Sequence, residues 1–406
     1  MRHLIALLLT VLLYNESDAA CRHSYMTFCD DLSDLGNYNI EDWREIVVGT
    51  ESYNASQLKT IDHTSLPFYK MERLVTLIIV GQIKEIKMFT FALNHYYNRL
   101  NVLEFYANDI KRIKFTTFDT MTLTKLGLVN NNIENLSKGM FYNCHITTID
   151  VSHNKLEAIE VDVFTETNLY NSTKELILRH NRIELMESGC LPSSLEILNL
   201  DHNKMNVINI ELFKNVCCLK ELTLSHNNLK NIAFAIVLNQ LRWLDASHNI
   251  VKVVYSQHLN NLTKLEVLDL GHNIIDSPVV FKRFNLTQRA LQISLAFNKL
   301  THLVIDENNF RDHVVYLYGN PWNCKCWQML EQFMIDNKVK RSACDLKFFG
   351  NGEVPYCLEY GQSDCRSGSF DKNTNITRHD IDTFTNVVKD TLNKIKCRHS
   401  PRLWQK

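Results

Sequence analysis

The most regular chemistry-bearing side chains of this chain are six histidines, each followed directly by an asparagine. They recur at intervals of 22 to 27 residues, at His153, His180, His202, His226, His248 and His272. Imidazole binds zinc or copper and titrates near neutral pH, so this set suggests either a metal site or a pH-responsive column. In adjacent strands, neighbouring rings would lie roughly 5 Å apart, and each protonated pair would repel by about 0.8 kcal/mol in water.

Catalytic signatures are missing from the sequence. It contains no G-x-S-x-G, no phosphate-cradling glycine loop and no H-E-x-x-H. The histidines are spread along a column and face no paired cysteine or serine nucleophile. We therefore expect no catalytic residues, no bound metal and no cofactor.

The element that would position the histidines is a frame, L-x-x-L-x-L-x-x-N, that occurs ten times between Leu100 and Asn320. The frames start 22 to 27 residues apart, and the last position is always asparagine: Asn108, Asn131, Asn154, Asn181, Asn203, Asn227, Asn249, Asn273, Asn298 and Asn320. Positions 1, 4, 6 and 11 should point into a shared core, and the asparagine amide should bond backbone groups of the neighbouring rung. A period in the low twenties predicts a solenoid.

This frame resembles the leucine-rich repeat. Its length and the recurring Phe118, Phe141, Phe164 and Phe213 resemble the typical extracellular class of Toll-like ectodomains. The resemblance implies an α/β solenoid, a horseshoe with a parallel concave sheet, an irregular or short-helical convex side and disulfide-bonded caps at both ends. Ser-His-Asn is a common filling of this frame in the family, which favours a consensus explanation of the histidines over a metal or pH role.

The ends of the chain carry different signals. Arg2, the apolar run 4–13 and the small residues at 17–19 predict a signal peptide over 1–20. With no second apolar run of that length and no lipid-anchor tail, we expect a secreted, extracellular protein without a membrane anchor. The expected divisions are an N-terminal cap with a degenerate repeat (21–73), the repeats (74–322), a cysteine-rich cap (323–365), and a polar linker with a short amphipathic helix (366–406).

Twelve cysteines in a secreted chain predict disulfides. Cys21 and Cys29 flank a short stretch and should staple the first cap. At the other end, the segment 320–327 resembles the C-terminal cap of extracellular leucine-rich-repeat proteins. The resemblance implies the pairs Cys324–Cys344 and Cys326–Cys365, with Cys357 competing for the last place.

Five further cysteines have more than one possible state, as a thiol or in a disulfide. Those on return segments are Cys144, Cys190, Cys217 and Cys218. Cys190 and Cys217 belong to adjacent rungs, so they either bond to each other or remain thiols like the rest. Cys397 either pairs with Cys357 or bridges two chains, which would make a disulfide-linked dimer; a non-covalent dimer is the other dimeric form.

The outward side chains of each strand define the expected binding face, because residues alternate across a strand and solenoids bind on the concave surface. Positions 3, 5 and 7 hold seven acids: Glu104, Asp150, Glu175, Asp201, Glu221, Asp245 and Asp269. Lys125 and Arg179 are the opposing bases, so the face carries about five net negative charges. Such a field repels nucleic acid and favours a basic partner. Consensus filling of a solvated strand is the alternative.

Aromatic residues mark the same face, and exposed tryptophan and tyrosine are common in binding hot spots. Trp243 lies in the middle, and its alternative role is to pack flat on neighbouring strand residues. The full set of expected partner-binding residues is Tyr106, Asp150, Arg179, Asp201, Trp243, Asp245, Asp269, Tyr316 and Tyr318.

Two further patterns concern the surface. The N-x-[ST] sequons lie outside the central strand columns, at Asn54, Asn135, Asn171, Asn261, Asn285 and Asn375, so the strand face should stay free of glycans. Near the end, apolar residues recur at helical spacing, at Ile381, Phe384, Val388, Leu392 and Ile395. This helix should pack back on the C-terminal cap or, alternatively, dock a partner helix.

The overall pattern resembles secreted insect leucine-rich-repeat immune proteins. The resemblance implies a non-enzymatic recognition protein of innate immunity that binds another extracellular protein on its concave face. An extracellular-matrix or adhesion component and a soluble receptor decoy are the alternatives that the sequence leaves open.

Overall fold

The structure is a computed structural model of the 406-residue chain. It describes residues 42–49, 60–65, 71–276 (except 82, 89, 92–98, 162, 165 and 166), 291–303 and 313–341 (except 337). It also describes the short stretches 21–23, 27–30, 35, 357–358, 363–365, 369–370, 383–384 and 386–387. The expected signal peptide, Cys344, Cys397 and the sequons at Asn54, Asn285 and Asn375 lie outside these residues.

Strands dominate the molecule. They are β1 Cys21–His23, β2 Thr27–Cys29, β3 Glu45–Val48, β4 Thr60–Ile61, β5 Thr76–Val80, β6 Glu85–Ile86, β7 Val102–Tyr106, β8 Thr122–Gly127, β9 His145–Asp150, β10 Ala158–Ile159, β11 Glu175–Ile177, β12 Leu185–Met186, β13 Ile197–Asn199, β14 Glu221–Thr223, β15 Trp243–Asp245, β16 Val267–Asp269, β17 Gln292–Ser294, β18 Val314–Tyr316, β19 Lys340–Arg341, β20 Ser363–Asp364 and β21 Ser369–Phe370. The helices are α1 Thr167–Ser172, α2 Ser256–Leu259 and α3 Cys324–Asp336, with 3₁₀ turns at Ile210–Phe213 and Ala233–Val237.

One 15-stranded sheet runs the length of the solenoid in the order β1-β2-β3-β5-β7-β8-β9-β11-β13-β14-β15-β16-β17-β18-β19. All neighbours in this sheet are parallel except β1 and β2, which form an antiparallel hairpin. Each rung contributes one strand in the same register, as where Leu222 pairs with Leu244 and Leu244 with Leu268. This arrangement confirms the solenoid with a parallel sheet that the repeat frame predicts.

The core lies behind this sheet, where the apolar frame positions stack in columns. In the rung that begins at Leu219, the side chains of Leu222, Leu224, Leu229 and Ile232 are fully buried. Burying a leucine or isoleucine side chain contributes roughly 1.5–3 kcal/mol, and no single rung can cover its own apolar side. The rungs therefore stabilise one another through one continuous core.

The asparagine column joins each rung to the one before it. Asn227 donates its amide to the carbonyl of Leu200 in the preceding rung (2.9 Å) and to its own Leu224 (3.0 Å), and its Oδ1 accepts from the Met205 amide (3.0 Å). Equivalent bonds recur from Asn108 to Asn320. The expected bonding of backbone groups by the asparagine side chain is confirmed, and it explains why the residue type recurs.

The residue before each asparagine adopts a left-handed backbone conformation. All six histidines of the column have φ between 53° and 56°, and Asn130 and Phe297 at the same frame position have φ of 57° and 54°. This conformation is costly for most L-residues, and Asn and His are enriched among those that adopt it. The turn geometry therefore restricts the residue types that this position accepts.

The convex side is built from short elements, as expected. A column of buried phenylalanines lines it, with Phe118 stacked on Phe141 (ring centroids 6.3 Å apart) and Phe141 on Phe164 (5.6 Å). Parallel pairs β4–β6 and β10–β12 lie on the return path, together with the short helices and turns.

Disulfides close both ends. Cys21 bonds to Cys29, and Cys326 bonds to Cys365. The implied Cys324–Cys344 pair is wrong, because Cys324 bonds to Cys357 instead. The backbone explains the choice: the amide of Cys324 donates to the carbonyl of Leu358 (3.2 Å), which holds the chain beside Cys357 against the start of α3.

This pairing also corrects two other expectations. Cys357 is not available to Cys397, so their expected bond does not form. Cys190 does not bond to Cys217: Cys190 is a buried thiol, whereas Cys217 is exposed beside Cys218. The side chain of Phe384, from the expected amphipathic helix, is buried in the main core cluster, which agrees with a tail packed on the body of the protein. Within the described ranges, no helix is long and apolar enough to cross a membrane.

Candidate binding surface

The concave face consists of frame positions 3, 5 and 7, which the strand register aligns into three columns. In the first column Glu221 pairs with Trp243, and Trp243 with Val267. In the second, Thr223 pairs with Asp245, and Asp245 with Asp269. The expected face therefore exists, and Trp243 occupies the middle of it.

The aspartates of this face accept hydrogen bonds from backbone amides where the strands end. Asp150, Asp245 and Asp269 each use Oδ1 to accept a hydrogen bond from the amide two residues later, at 3.0, 3.0 and 2.9 Å. Asp201 reaches the Ser225 amide of the next rung at 2.9 Å. These bonds give the acids a structural role alongside the expected binding role.

The acidic side chains of the face also differ in their exposure to solvent. Asp245 and Asp269 are only 5% and 3% exposed, although both carboxylates remain on the concave side, whereas Glu175 and Glu221 are more accessible. Lys125 forms an ion pair with Glu104, so one of the seven acids is already neutralised by a base of the same face. The partly exposed acids of the face are therefore Asp150, Glu175 and Glu221.

Two of the expected aromatic residues are not surface residues. Tyr318 is fully buried with its ring edge-on to Phe297 (centroids 5.5 Å), and Tyr316 is 7% exposed. Both belong to the main core cluster, next to the C-terminal cap. Their burial argues against the expected partner-binding role, because the frame gives the direction of a side chain but not what covers the end rung. Tyr106 and Arg179 are partly exposed on the face, as expected.

Trp243 has the most distinctive environment on the face. Its side chain is partly exposed, but the indole Nε1 is buried and has no hydrogen-bond partner among the described residues. In the same part of the chain, Thr223 Oγ1 and Gln292 Oε1 are also buried without a partner. Thr223 lies one rung before Trp243, and Gln292 lies two rungs after it in the same column. No sequence pattern points to Thr223 or Gln292.

The histidine column is a continuous stack along the edge of the sheet where the strands end. Successive rings from His153 to His272 lie 4.1–4.2 Å apart at their centroids and within 14° of parallel, and Phe297 closes the stack at 4.2 Å from His272. Ring nitrogens carry their lone pairs in the ring plane, so stacked rings do not converge on a common metal position. The geometry thus supports consensus packing over a metal site.

Stacking and burial also affect titration. Burial lowers the pKa of His180 to about 4, and the neighbouring His153, His202 and Arg179 add to this effect while Asp201 opposes it. Burial likewise lowers the pKa of His153, with Arg179 as the next cause, and that of His226, with His202 as the next cause. Protonation of these three histidines is therefore less favourable in the folded protein than in water.

Three sequons lie in the described part of the chain. Asn135, Asn171 and Asn261 are all exposed and lie outside the strands of the main sheet. The amide nitrogen of Asn261 donates to the carbonyl of Ile236 (2.8 Å). The placement agrees with a strand face free of sugar, while glycosylation itself remains a prediction.

Comparison with known proteins supports the repeat assignment. A family model described as "Leucine rich repeat" matches residues 121–183, 171–229 and 193–251. The human leucine-rich repeats and immunoglobulin-like domains protein 2 is 31% identical over 111 residues, which is 26% of this chain and 10% of that protein. Mouse osteomodulin is 32% identical over 101 residues, which is 25% of this chain and 23% of that protein. The matches thus span a quarter or less of each of these relatives.

Solved structures share the fold over a longer stretch. The leucine-rich repeat domain of APL1B superimposes with a TM-score of 0.55 at 17% identity, covering 90% of this chain and 96% of that one. The Toll–Spatzle complex from Drosophila matches with a TM-score of 0.53 at 17% identity, covering 75% of this chain and 49% of that one. At this identity the likeness concerns the fold.

Proposed function

We propose that this chain, a leucine-rich-repeat protein, is a non-enzymatic binding protein that recognises another extracellular protein on its concave face. The observation that carries the proposal is the environment of Trp243. A large, partly exposed aromatic side chain lies in the middle of a continuous sheet face, and its indole N–H is unsatisfied within the described residues. The exposed part of the ring is the surface that a partner can contact, and exposed tryptophan is enriched in binding hot spots.

The charge of the face defines the partner's chemistry. Glu221, which is partly exposed, borders Trp243 in the first column, and the largely buried Asp245 and Asp269 follow in the second. Lys125 is already paired with Glu104, away from this centre. A partner with a basic contact surface is therefore complementary, because matched charge speeds encounter and suppresses like-charged partners.

Secretion and an immune role are the finer parts of the proposal. Three disulfides suit an oxidising compartment. The APL1B domain shares the fold along nearly all of both chains, and the Toll–Spatzle complex is described as a hub in Drosophila development and innate immunity. These likenesses support innate immune recognition as the role to test first. A matrix or adhesion component and a soluble receptor decoy are the rival roles.

The binding claim is tested by recovery of partners from native extracellular fluid with wild type and Trp243→Ala. Tyr255→Ala is the matched control, because Tyr255 is also an exposed aromatic residue but lies on the return side of its rung. We expect Trp243→Ala to lose a defined set of partners that Tyr255→Ala retains. Equal recovery by all three proteins contradicts the proposal.

The role is tested separately from the surface. An immune role predicts that expression rises on microbial challenge and that the recovered partner changes with infection. Developmental expression that is indifferent to challenge favours the adhesion role, and a single membrane receptor as partner favours the decoy. Each outcome assigns the role without changing the claim about Trp243.

A further inference from the structure

Adjacent cysteines on a return segment form a feature that the repeat frame does not explain. Cys217 and Cys218 lie between the 3₁₀ turn Ile210–Phe213 and strand β14, and their Sγ atoms are 2.7 Å apart. This is well inside ordinary non-bonded contact, for which carbon pairs prefer about 3.5–4.0 Å, and close to the S–S bond length of about 2.05 Å. The two sulfurs are thus arranged for bond formation with little movement.

Exposure distinguishes this pair from the other thiols that the structure describes. Cys217 is exposed and Cys218 partly exposed, whereas Cys144 and Cys190 are buried. The Cys144 thiol donates to the carbonyl of Phe118 (2.7 Å), and burial raises the pKa of Cys190 to about 12. Thiolate is the reactive form, so the two buried thiols are inert while the pair is open to reagents.

We propose that Cys217 and Cys218 are a redox-active vicinal dithiol that closes to a disulfide by exchange with a small organic disulfide. The exposed Cys217 thiolate attacks one sulfur of the small disulfide and expels the first small thiolate. Cys218 then loses its proton and attacks the Cys217 sulfur of the mixed disulfide, which expels the second small thiolate. The protein loses two electrons and two protons, and the small disulfide becomes two thiols.

The bond so formed is more easily reduced than the three cap disulfides. Cα atoms joined by a trans peptide are about 3.8 Å apart, and the described peptide bonds are all trans. Disulfides prefer Cα separations of about 4.4–6.8 Å, so a bond between neighbours stores strain. Strained, exposed disulfides have the higher reduction potentials typical of labile or regulatory bonds. The site therefore takes the glutathione class of thiols and disulfides as its redox partner.

The local contacts indicate what closure would change. Cys217 Sγ lies 3.7 Å from the carbonyl of Ser193, and the Ser193 hydroxyl contacts the Asn171 side chain of the preceding rung (3.4 Å). On the other side, Lys220 pairs with Glu196 at 2.6 Å. Oxidation of the pair thus acts on the edge of rungs β11–β14, next to a sequon.

The test uses the full chain, equilibrated with excess oxidised glutathione, alkylated without reduction and digested with trypsin. Cleavage after Lys214 and Lys220 isolates the peptide 215–220, which contains both cysteines. We expect this peptide to carry no label and to be lighter than the dithiol by two hydrogens. On titration with reduced glutathione it should take two labels while Cys21–Cys29, Cys324–Cys357 and Cys326–Cys365 remain intact.

A variant with one cysteine of the pair replaced gives a second test of the proposal. In Cys218→Ser, Cys217 should form a stable mixed disulfide with glutathione, since no neighbour displaces it. Three results overturn the proposal: two labels on the peptide of the wild type before reduction, a bond from this peptide to another chain, or no reaction of Cys217 in the variant. Cys144 and Cys190 should take label only after unfolding, which verifies that the protein stayed folded during labelling.

Discussion

The histidine column predicts a specific dependence of stability on pH. His180 lies between the rings of His153 and His202, at 4.2 and 4.1 Å, and burial with these neighbours lowers its pKa from 6.5 to about 4. Between these values the unfolded chain binds more protons than the folded one. Stability is therefore full above about pH 6.5 and is lost as the pH falls toward the folded-state pKa.

The magnitude follows from this shift. At 1.36 kcal/mol per pKa unit, lowering the pH from about 7.5 to about 5 would cost about 2 kcal/mol through His180 alone. The ring is partly exposed, so solvent screening leaves on the order of 1 kcal/mol. His153 and His226, whose pKa values are also lowered, contribute in the same direction.

The perturbation is His180→Asn, which keeps the left-handed backbone available because Asn130 occupies the same frame position with φ of 57°. Urea unfolding at the two pH values gives the free energy of unfolding for each protein. We expect the loss on acidification to be smaller in the variant by roughly 1 kcal/mol. His145→Asn, an exposed histidine outside the column, is the matched control. An unchanged pH dependence in His180→Asn, or a wild type that gains stability on acidification, refutes the reasoning.

Two substitutions test the rung geometry. Asn227→Ala removes the acceptor of the buried Met205 amide in the preceding rung and one of the two donors to the Leu200 carbonyl, which keeps its bond from Asn203. Urea unfolding should therefore show a loss of about 1–3 kcal/mol, against under about 0.5 kcal/mol for the exposed Asn206→Ala. Comparable losses would show that the asparagine bonds are not what joins the rungs. Gly319→Ala would place a Cβ 2.7 Å from a ring carbon of Phe297 at φ of 76°, whereas Gly189→Ala at φ of 83° meets only an ordinary 3.8 Å contact. Both carry backbone strain of about 1–2 kcal/mol, so Gly319→Ala should lower the melting temperature more; equal shifts contradict the packing role of Phe297.

The repeated frame was sufficient to predict the sheet, its core columns and the asparagine bonds, because each depends on a periodic pattern. Side-chain direction also follows from the frame, and it correctly placed Trp243 on the concave face. The frame does not show which other residues cover a side chain and bury it. Tyr318 shares its column with the partly exposed Tyr106 and Arg179, yet the end of the solenoid buries it against Phe297.

The full disulfide pairing could not be predicted from the sequence, because it depends on how a cap folds in three dimensions. Spacing alone left Cys344, Cys357 and Cys365 as competitors, and the backbone bonds of Leu358 with Cys324 and Trp322 favour Cys357. The hydrogen bonds of the carboxylates could not be predicted either. Asp245 turns back to the amide of Ser247, which the alternation of a strand does not reveal.

The most direct test of the binding claim is photo-crosslinking from the concave centre. A photoreactive phenylalanine analogue replaces Trp243 in one protein and Tyr255 in another, and both are irradiated in native extracellular fluid. We expect position 243 to capture a discrete protein whose crosslinked peptide is rich in lysine or arginine, and position 255 not to capture it. Capture of the same protein from both positions, or from position 255 alone, would contradict recognition through the concave face.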